Sequence, residues 1–213
     1  NMLTVHHLGI SQSDRIVWLC EELGLPYQLD KHDRDPSTGG GPAAYKALHP
    51  FGTAPVITDG DLVLGESGAI IEYIISRYGG ERLAVAPSAP NYADYLYWFH
   101  FANGSLMPAM MFHFAAQRAG FGDADLVKRF GARRELAFEM IEARLGEAPY
   151  FAGDAFTAAD IIMLFPLTMM RRFTPFDISG LPNLKAYLAK VVARPAYQRT
   201  LSVGDPDVTP YVD

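Results

Sequence analysis

Ala54-Pro55-Val56-Ile57-Thr58-Asp59-Gly60-Asp61-Leu62-Val63-Leu64 reads as two short apolar runs around an Asp-Gly turn, a strong hairpin signal. Upstream, Leu3-Thr4-Val5-His6-His7-Leu8 has strand character, and residues 11–14 offer caps for a helix. Ile16, Val17, Leu19, Cys20 and Leu23 give that helix an apolar face, and Gly24 ends it. Tyr27-Gln28-Leu29-Asp30 predicts a second strand, the polar stretch 33–41 a loop, and 43–48 a short helix. Beyond the hairpin, 67–78 predicts a helix with Ile70, Ile71, Ile74 and Ile75 on one side. A hairpin after a βαβ unit implies a mixed four-stranded sheet with helices on its faces, an α/β domain over residues 1–80.

The strand signals stop around Gly79-Gly80 and Ala86-Pro87-Ser88-Ala89-Pro90, so 81–90 reads as a linker. Residues 91–213 then read as an all-α domain. Four helices are expected near 92–119, 123–145, 157–170 and 181–192, a short fifth after Pro195, and an extended tail over 202–213. Asn103-Gly104-Ser105 and Pro108 weaken the first of these, which predicts a kink or break. Thr157 with Asp160 forms a capping-box pattern, a structural feature of a helix start.

The 213 residues are 49% hydrophobic and 20% charged, the proportions of an ordinary globular protein. A net charge of -6 argues against nucleic acid as the main partner, since phosphate binding needs clustered Lys and Arg. No run of roughly 18 apolar residues predicts a membrane span, and the first residues show no secretory signal, so a cytoplasmic location is expected. Cys20 is the one cysteine; no CxxC exists, which argues against a disulfide reductase. Two turns into its helix, Cys20 is expected to be a core residue. His6 and His7 alternate along a strand and cannot ligate one metal together, and His100 and His113 are isolated, so no metal site is expected.

Four motifs together resemble the glutathione transferase superfamily over nearly the whole chain. They are the loop Gly9-Ile10-Ser11-Gln12-Ser13-Asp14-Arg15, the segment His49-Pro50-Phe51-Gly52-Thr53-Ala54-Pro55-Val56, the turn Leu64-Gly65-Glu66-Ser67-Gly68, and Phe156-Thr157-Ala158-Ala159-Asp160-Ile161. The first loop most resembles bacterial and fungal serine-type members. The resemblance implies a thioredoxin-like domain that binds glutathione as co-substrate, and a helical domain that binds a small apolar electrophile. It implies a cis bond before Pro55, with Thr53 and Ala54 beside the ligand, although Thr53 stands where the family often has Lys or Gln. It also implies a homodimer, with Arg77 and Asp94 as candidate interface charges, and an activity of conjugation, with peroxide reduction as a side reaction. The alternative is a non-catalytic ligand-binding or protein-interaction module of the same fold.

The residues suit that chemistry. Ser67 stands at a helix start, where N–H groups favour an anion, and Glu66 beside it can hold an ammonium. The reaction needs a thiolate, yet a free thiol near pKa 8.5 is largely protonated at neutral pH. Ser11 and Ser13 could each donate a hydrogen bond to the sulfur. Ser11 lies nearer the strand end, whereas Ser13 is placed to cap the following helix. Around the weakened helix, Phe99, Met107, Met110, Met111 and Phe114 form an apolar set that would suit varied ligands, Met in particular because it repacks easily.

Overall fold

The computed structural model describes residues 2–213; Asn1 lies outside the described residues. The chain packs as two compact units. The first takes residues up to Ala84 together with Val192–Thr209, and the second takes Val85–Val191 and Pro210–Asp213. The sequence-based division put all of 91–213 in one helical domain; by packing, the last helix goes with the sheet.

In the first unit, β1 (Thr4–Leu8), β2 (Gln28–His32), β3 (Val56–Asp59) and β4 (Leu62–Gly65) form one sheet in the order β2-β1-β3-β4. β1 and β2 run parallel, while β3 is antiparallel to both β1 and β4, so the sheet is mixed. Helix α1 (Asp14–Leu23) ends at Gly24, whose φ of 64° a side chain would strain. The short α2 (Ala43–Lys46) brings Tyr45 into the core, where its hydroxyl donates to the His6 carbonyl. Helix α3 (Ser67–Arg77) buries Ile70, Ile71, Ile74 and Ile75, one stripe at helical spacing. Each such side chain contributes about 1.5–3 kcal/mol of burial.

Helix α1 is apolar on more than one side because two layers cover it. The final helix α9 (Pro195–Gly204) packs on it, with Trp18 and Tyr197 edge to face at 5.0 Å. Arg194 on α9 grips both carboxylate oxygens of Glu22, at 2.7 and 3.0 Å. That paired geometry is the strong form of an ion pair.

The second unit is helical. α4 (Tyr92–Phe101) and α5 (Met107–Arg118) are joined by one π-helical turn, Ala102–Leu106, which is the break expected at Asn103-Gly104-Ser105. Then follow α6 (Asp125–Glu147), α7 (Ala158–Leu167) and α8 (Pro182–Val192). Every residue of α7 is buried, making it the axis of this unit. Its start carries the full capping box: Thr157 Oγ1 accepts from the Ala159 N–H, and Asp160 Oδ2 accepts from the Thr157 N–H at 2.9 Å. Among the described residues no helix is long and apolar enough to cross a membrane.

Candidate active site

The register of the sheet collects three loops at one end. His6 on β1 lies opposite Val56 on β3, and Val56 lies opposite Gly65 on β4. The residues that follow β1, precede β3 and follow β4 therefore all leave the ladder on the same side. These are Gly9 to Ser13, Thr53 to Pro55, and Glu66 with Ser67.

The Ala54–Pro55 bond is cis, with Pro55 buried, Ala54 half-buried and Thr53 exposed. Glu66 is exposed, at a φ of 67°, and Ser67 opens α3. A buried cation links that helix start to the first loop. Arg15 Nη1 donates to Ser67 Oγ at 3.0 Å and to Gln12 Oε1 at 2.8 Å. Desolvation lowers the Arg15 pKa to about 10, which leaves it charged at neutral pH. Beside it, burial pushes the Asp14 carboxyl up to about 7, partly opposed by Arg15.

Both serines lie in the first loop, in different surroundings. Ser13 is fully buried, and its hydroxyl meets Ser11 Oγ at 2.6 Å, His7 Nδ1 at 2.8 Å and the Leu8 N–H at 3.0 Å. Ser11 is 6% exposed and donates to the Leu8 carbonyl at 2.7 Å. The helix-capping role expected of Ser13 is not found. Its backbone is already helical, at φ -66° and ψ -18°, and its side chain makes no cap bond. The hydroxyl turns back to β1 instead, where its oxygen accepts from the Leu8 N–H and also meets His7 Nδ1.

Behind the serines stand His7, which the sequence suggested only as a metal ligand to be rejected, and Asp205, which it did not single out. His7 Nε2 lies 2.9 Å from Asp205 Oδ2, while Asp205 Oδ1 accepts from the Ile10 N–H at 3.0 Å. Desolvation raises the Asp205 pKa, but the hydrogen bond and charge of His7 and the Ile10 N–H outweigh it, and the carboxyl ends below its ordinary value. The His7 ring thus bridges the Asp205 carboxylate and the Ser13 hydroxyl, whose oxygen lies 2.8 Å from Nδ1. Arg34 holds the loop from its other side, donating to the Gly9 and Ile10 carbonyls at 2.8 and 2.5 Å. Ile10 itself has a φ of 50°, an uncommon conformation for a branched residue, and these bonds over-determine it. No local pattern could have revealed Asp205, which is 198 positions from His7 in a tail expected to be extended.

The five apolar candidates of the helical unit are not on one surface. Phe99, Met107 and Met110 are buried, Phe114 is half-buried and Met111 is exposed. Packing accounts for the first three. A cavity of about 500 Å³ lies elsewhere on that unit, along the π turn, lined by Gly104, Ser105, Pro108, Phe130 and Leu136 among others. Cys20 is buried as expected, and desolvation pushes its thiol up to about 12, the opposite of an activated nucleophile.

Comparison with known proteins gives concordant results. A family model described as the glutathione S-transferase N-terminal domain matches residues 6–82, and one described as the C-terminal domain matches residues 101–195. Glutathione S-transferase 3 of Schizosaccharomyces pombe is 33% identical over 210 residues, spanning 92% of this chain and 85% of its own. The crystal structure of a glutathione S-transferase from Actinobacillus pleuropneumoniae superposes with a TM-score of 0.88 at 35% identity, over 96% of this chain and 93% of its own. A glutathione transferase of Phanerochaete chrysosporium, solved with oxidized glutathione, shares the fold at 22% identity, with a TM-score of 0.75 over 94% of each chain.

Proposed function

The chain belongs to the glutathione S-transferase family, and from that premise we propose that it conjugates the glutathione thiolate to a small apolar electrophile. Glutathione is assigned to the domain of residues 1–80 and the electrophile to the helical domain of 91–213. The observation that carries the reading is the convergence of the Ser11 loop, the Ala54–Pro55 segment and the Glu66–Ser67 turn at one end of the sheet. In this reading the α3 N-terminus and Ser67, backed by Arg15, take a carboxylate of the tripeptide. Exposed Glu66 takes its ammonium, and the backbone of Thr53 and Ala54 meets its middle residue.

Ser11 is the hydroxyl that meets the sulfur, as in serine-type relatives, its one proton turning from the Leu8 carbonyl to the thiolate when glutathione binds. Full burial of Ser13 supports this, since no bound thiol reaches a hydroxyl enclosed by Ser11, His7 and Leu8. Lowering a thiol pKa by two units needs about 2.7 kcal/mol of preferential stabilisation of the thiolate. A hydrogen bond to a charged sulfur, about 1.5–3 kcal/mol, with about 0.3–1 kcal/mol from the α1 N-terminus, covers that range. Of the apolar candidates, Met111 and Phe114 keep enough exposure to touch an electrophile.

Calorimetric titration with glutathione tests the reading. Binding should occur at sub-millimolar to millimolar concentration and weaken about tenfold in Glu66→Ala, the loss of one charge-assisted contact. No heat at millimolar glutathione would sink the proposal. Binding with no turnover of aryl halides or peroxides would instead leave the ligand-binding module.

We also infer a homodimer. Phe51 is 73% exposed beside Pro50, an unusual position for a phenylalanine, and the cavity along the π turn offers an apolar receptor on a second copy. Asp94 pairs with Arg144 at 3.5 Å within the chain, which weakens its candidacy as an interface charge and leaves Arg77. Light scattering at micromolar concentration should give twice the mass of one chain; a monomer mass would refute the dimer.

A further inference from the structure

His6, Asp30 and His32 stand on one face of the sheet, on adjacent strands. The parallel register sets His6 directly against Asp30, and His32 follows two residues on, on the same side of β2. Both imidazoles aim at a single carboxylate oxygen. His6 Nδ1 lies 2.7 Å and His32 Nε2 2.9 Å from Asp30 Oδ2, and one ligand atom from each residue lies within 4.8 Å of the others. From this arrangement we propose that the trio is a site for a divalent first-row cation of the zinc class.

The donor set is what such an ion takes. Two imidazole nitrogens and one carboxylate oxygen make three corners of a tetrahedron, with water for the fourth. At metal–ligand distances of about 2.0–2.1 Å, tetrahedral donors sit roughly 3.4 Å apart. Asp30 must therefore withdraw by about 0.5 Å from His32 and about 0.7 Å from His6, and it is the member able to do so. Its side chain is 47% exposed, against 9% for His6 and 16% for His32. The two rings are held in place. His32 packs edge-on against Tyr45, with centroids 5.2 Å apart, and His6 Nε2 meets Thr58 Oγ1 at 3.0 Å.

The Thr58 hydroxyl serves either tautomer of His6. Without a cation it donates to Nε2 while Nδ1–H binds Asp30. With one, Nε2–H donates to the hydroxyl and the Nδ1 lone pair turns to the metal. That is the outer hydrogen bond a ligating histidine normally has. With both imidazoles neutral the trio carries one negative charge, and Asp30 gives the ion its approach from solvent. Sequence reasoning expected no metal site because it compared His6 with His7 along one strand; pairing between strands supplies the partners instead. His7 points to the other face, toward Ser13 and Asp205, so the cation stiffens the β1–β2 seam and takes no part in thiol activation.

The test uses untagged, chelator-stripped full-length chain titrated with Zn²⁺, and with Co²⁺ for its absorption spectrum. One Zn²⁺ per chain is expected, with a tetrahedral Co²⁺ spectrum and a raised melting temperature. Affinity should fall about tenfold or more in His32→Ala and in Asp30→Asn, and also in Thr58→Val, which removes the hydrogen bond to His6 and leaves all three ligands in place. His100→Ala, at an exposed histidine elsewhere, should bind as the parent does. Conjugation rates should be unchanged by zinc. Absence of zinc binding at high micromolar concentration would overturn the proposal. So would an affinity in His32→Ala and Asp30→Asn equal to that of the parent, which would make the trio a hydrogen-bonded clasp only.

Discussion

The starts of α1 and α7 look alike in sequence, a hydroxyl residue just ahead of a helix with an aspartate close behind, yet the two hydroxyls do opposite things. At α7, Thr157 Oγ1 accepts from the Ala159 N–H and Asp160 Oδ2 from the Thr157 N–H, and Asp160 Oδ1 also accepts from the Phe151 N–H and the Tyr187 hydroxyl. Everything there is local or packed, and the result is stability. At α1, Ser13 leaves its helix uncapped and joins a buried line from Asp205 through His7 to Ser11. The Ser13 hydroxyl gives up the bond its position favours and contacts Ser11, His7 and Leu8 instead.

The comparison breaks if Asp160 is dispensable. Asp160→Ala orphans three buried donors, and urea unfolding should show a loss of about 3–5 kcal/mol, at about 1–3 kcal/mol for each unsatisfied group. Activity per folded molecule should stay unchanged. A loss under about 1 kcal/mol would mean that the box is not the anchor of α7.

Next in size is Ser11→Ala, expected to slow conjugation of an aryl halide about 100-fold at neutral pH and to raise the kinetic thiol pKa by about two units, equivalent to roughly 2.7 kcal/mol. Ser13→Ala should leave that pH profile in place and lower stability by about 1–2 kcal/mol. The reverse result would exchange the roles of the two serines.

Thr157→Ala should cost about 1 kcal/mol in the same unfolding measurement, the ordinary value for a lost N-cap. A null effect would show that Asp160 alone carries the start of α7.

The smallest effect is a tilt with pH. The folded pKa of Asp205 lies below its ordinary value of 3.8, so its contribution is complete above that value and lost as pH falls through the folded one. Asp160 is the opposite case: chiefly through desolvation its pKa rises to about 6, so stability from this group falls as pH climbs from about 4 to about 6. The melting-temperature gap between parent and Asp205→Asn should therefore narrow below about pH 4. The gap for Asp160→Asn should widen from pH 7 down to pH 4. Gaps that move together would contradict the contrast.

Much of this was legible in the chain. Alternation and the Asp-Gly turn predict the sheet, the isoleucine stripe predicts α3, and Gly24 the end of α1, because each is a local rule. The cis Ala54–Pro55 bond followed from the resemblance of its segment. What escaped was non-local. Asp205 completes the serine network from the far end of the chain, and Asp30 and His32 meet His6 only through strand pairing. The five apolar candidates on α4 and α5 show a different limit, since composition marks apolar residues without telling a pocket wall from a core.

The position of α9 has a consequence for synthesis. The first unit is built from two stretches separated by more than a hundred residues, from Ala84 to Val192. During translation the sheet emerges early, but the surface that Tyr197 and Arg194 cover, Trp18 and Glu22 included, stays open until α9, more than a hundred residues later, has left the ribosome. The nascent sheet domain thus waits with Trp18 uncovered, a window in which chaperones or misassembly compete for it.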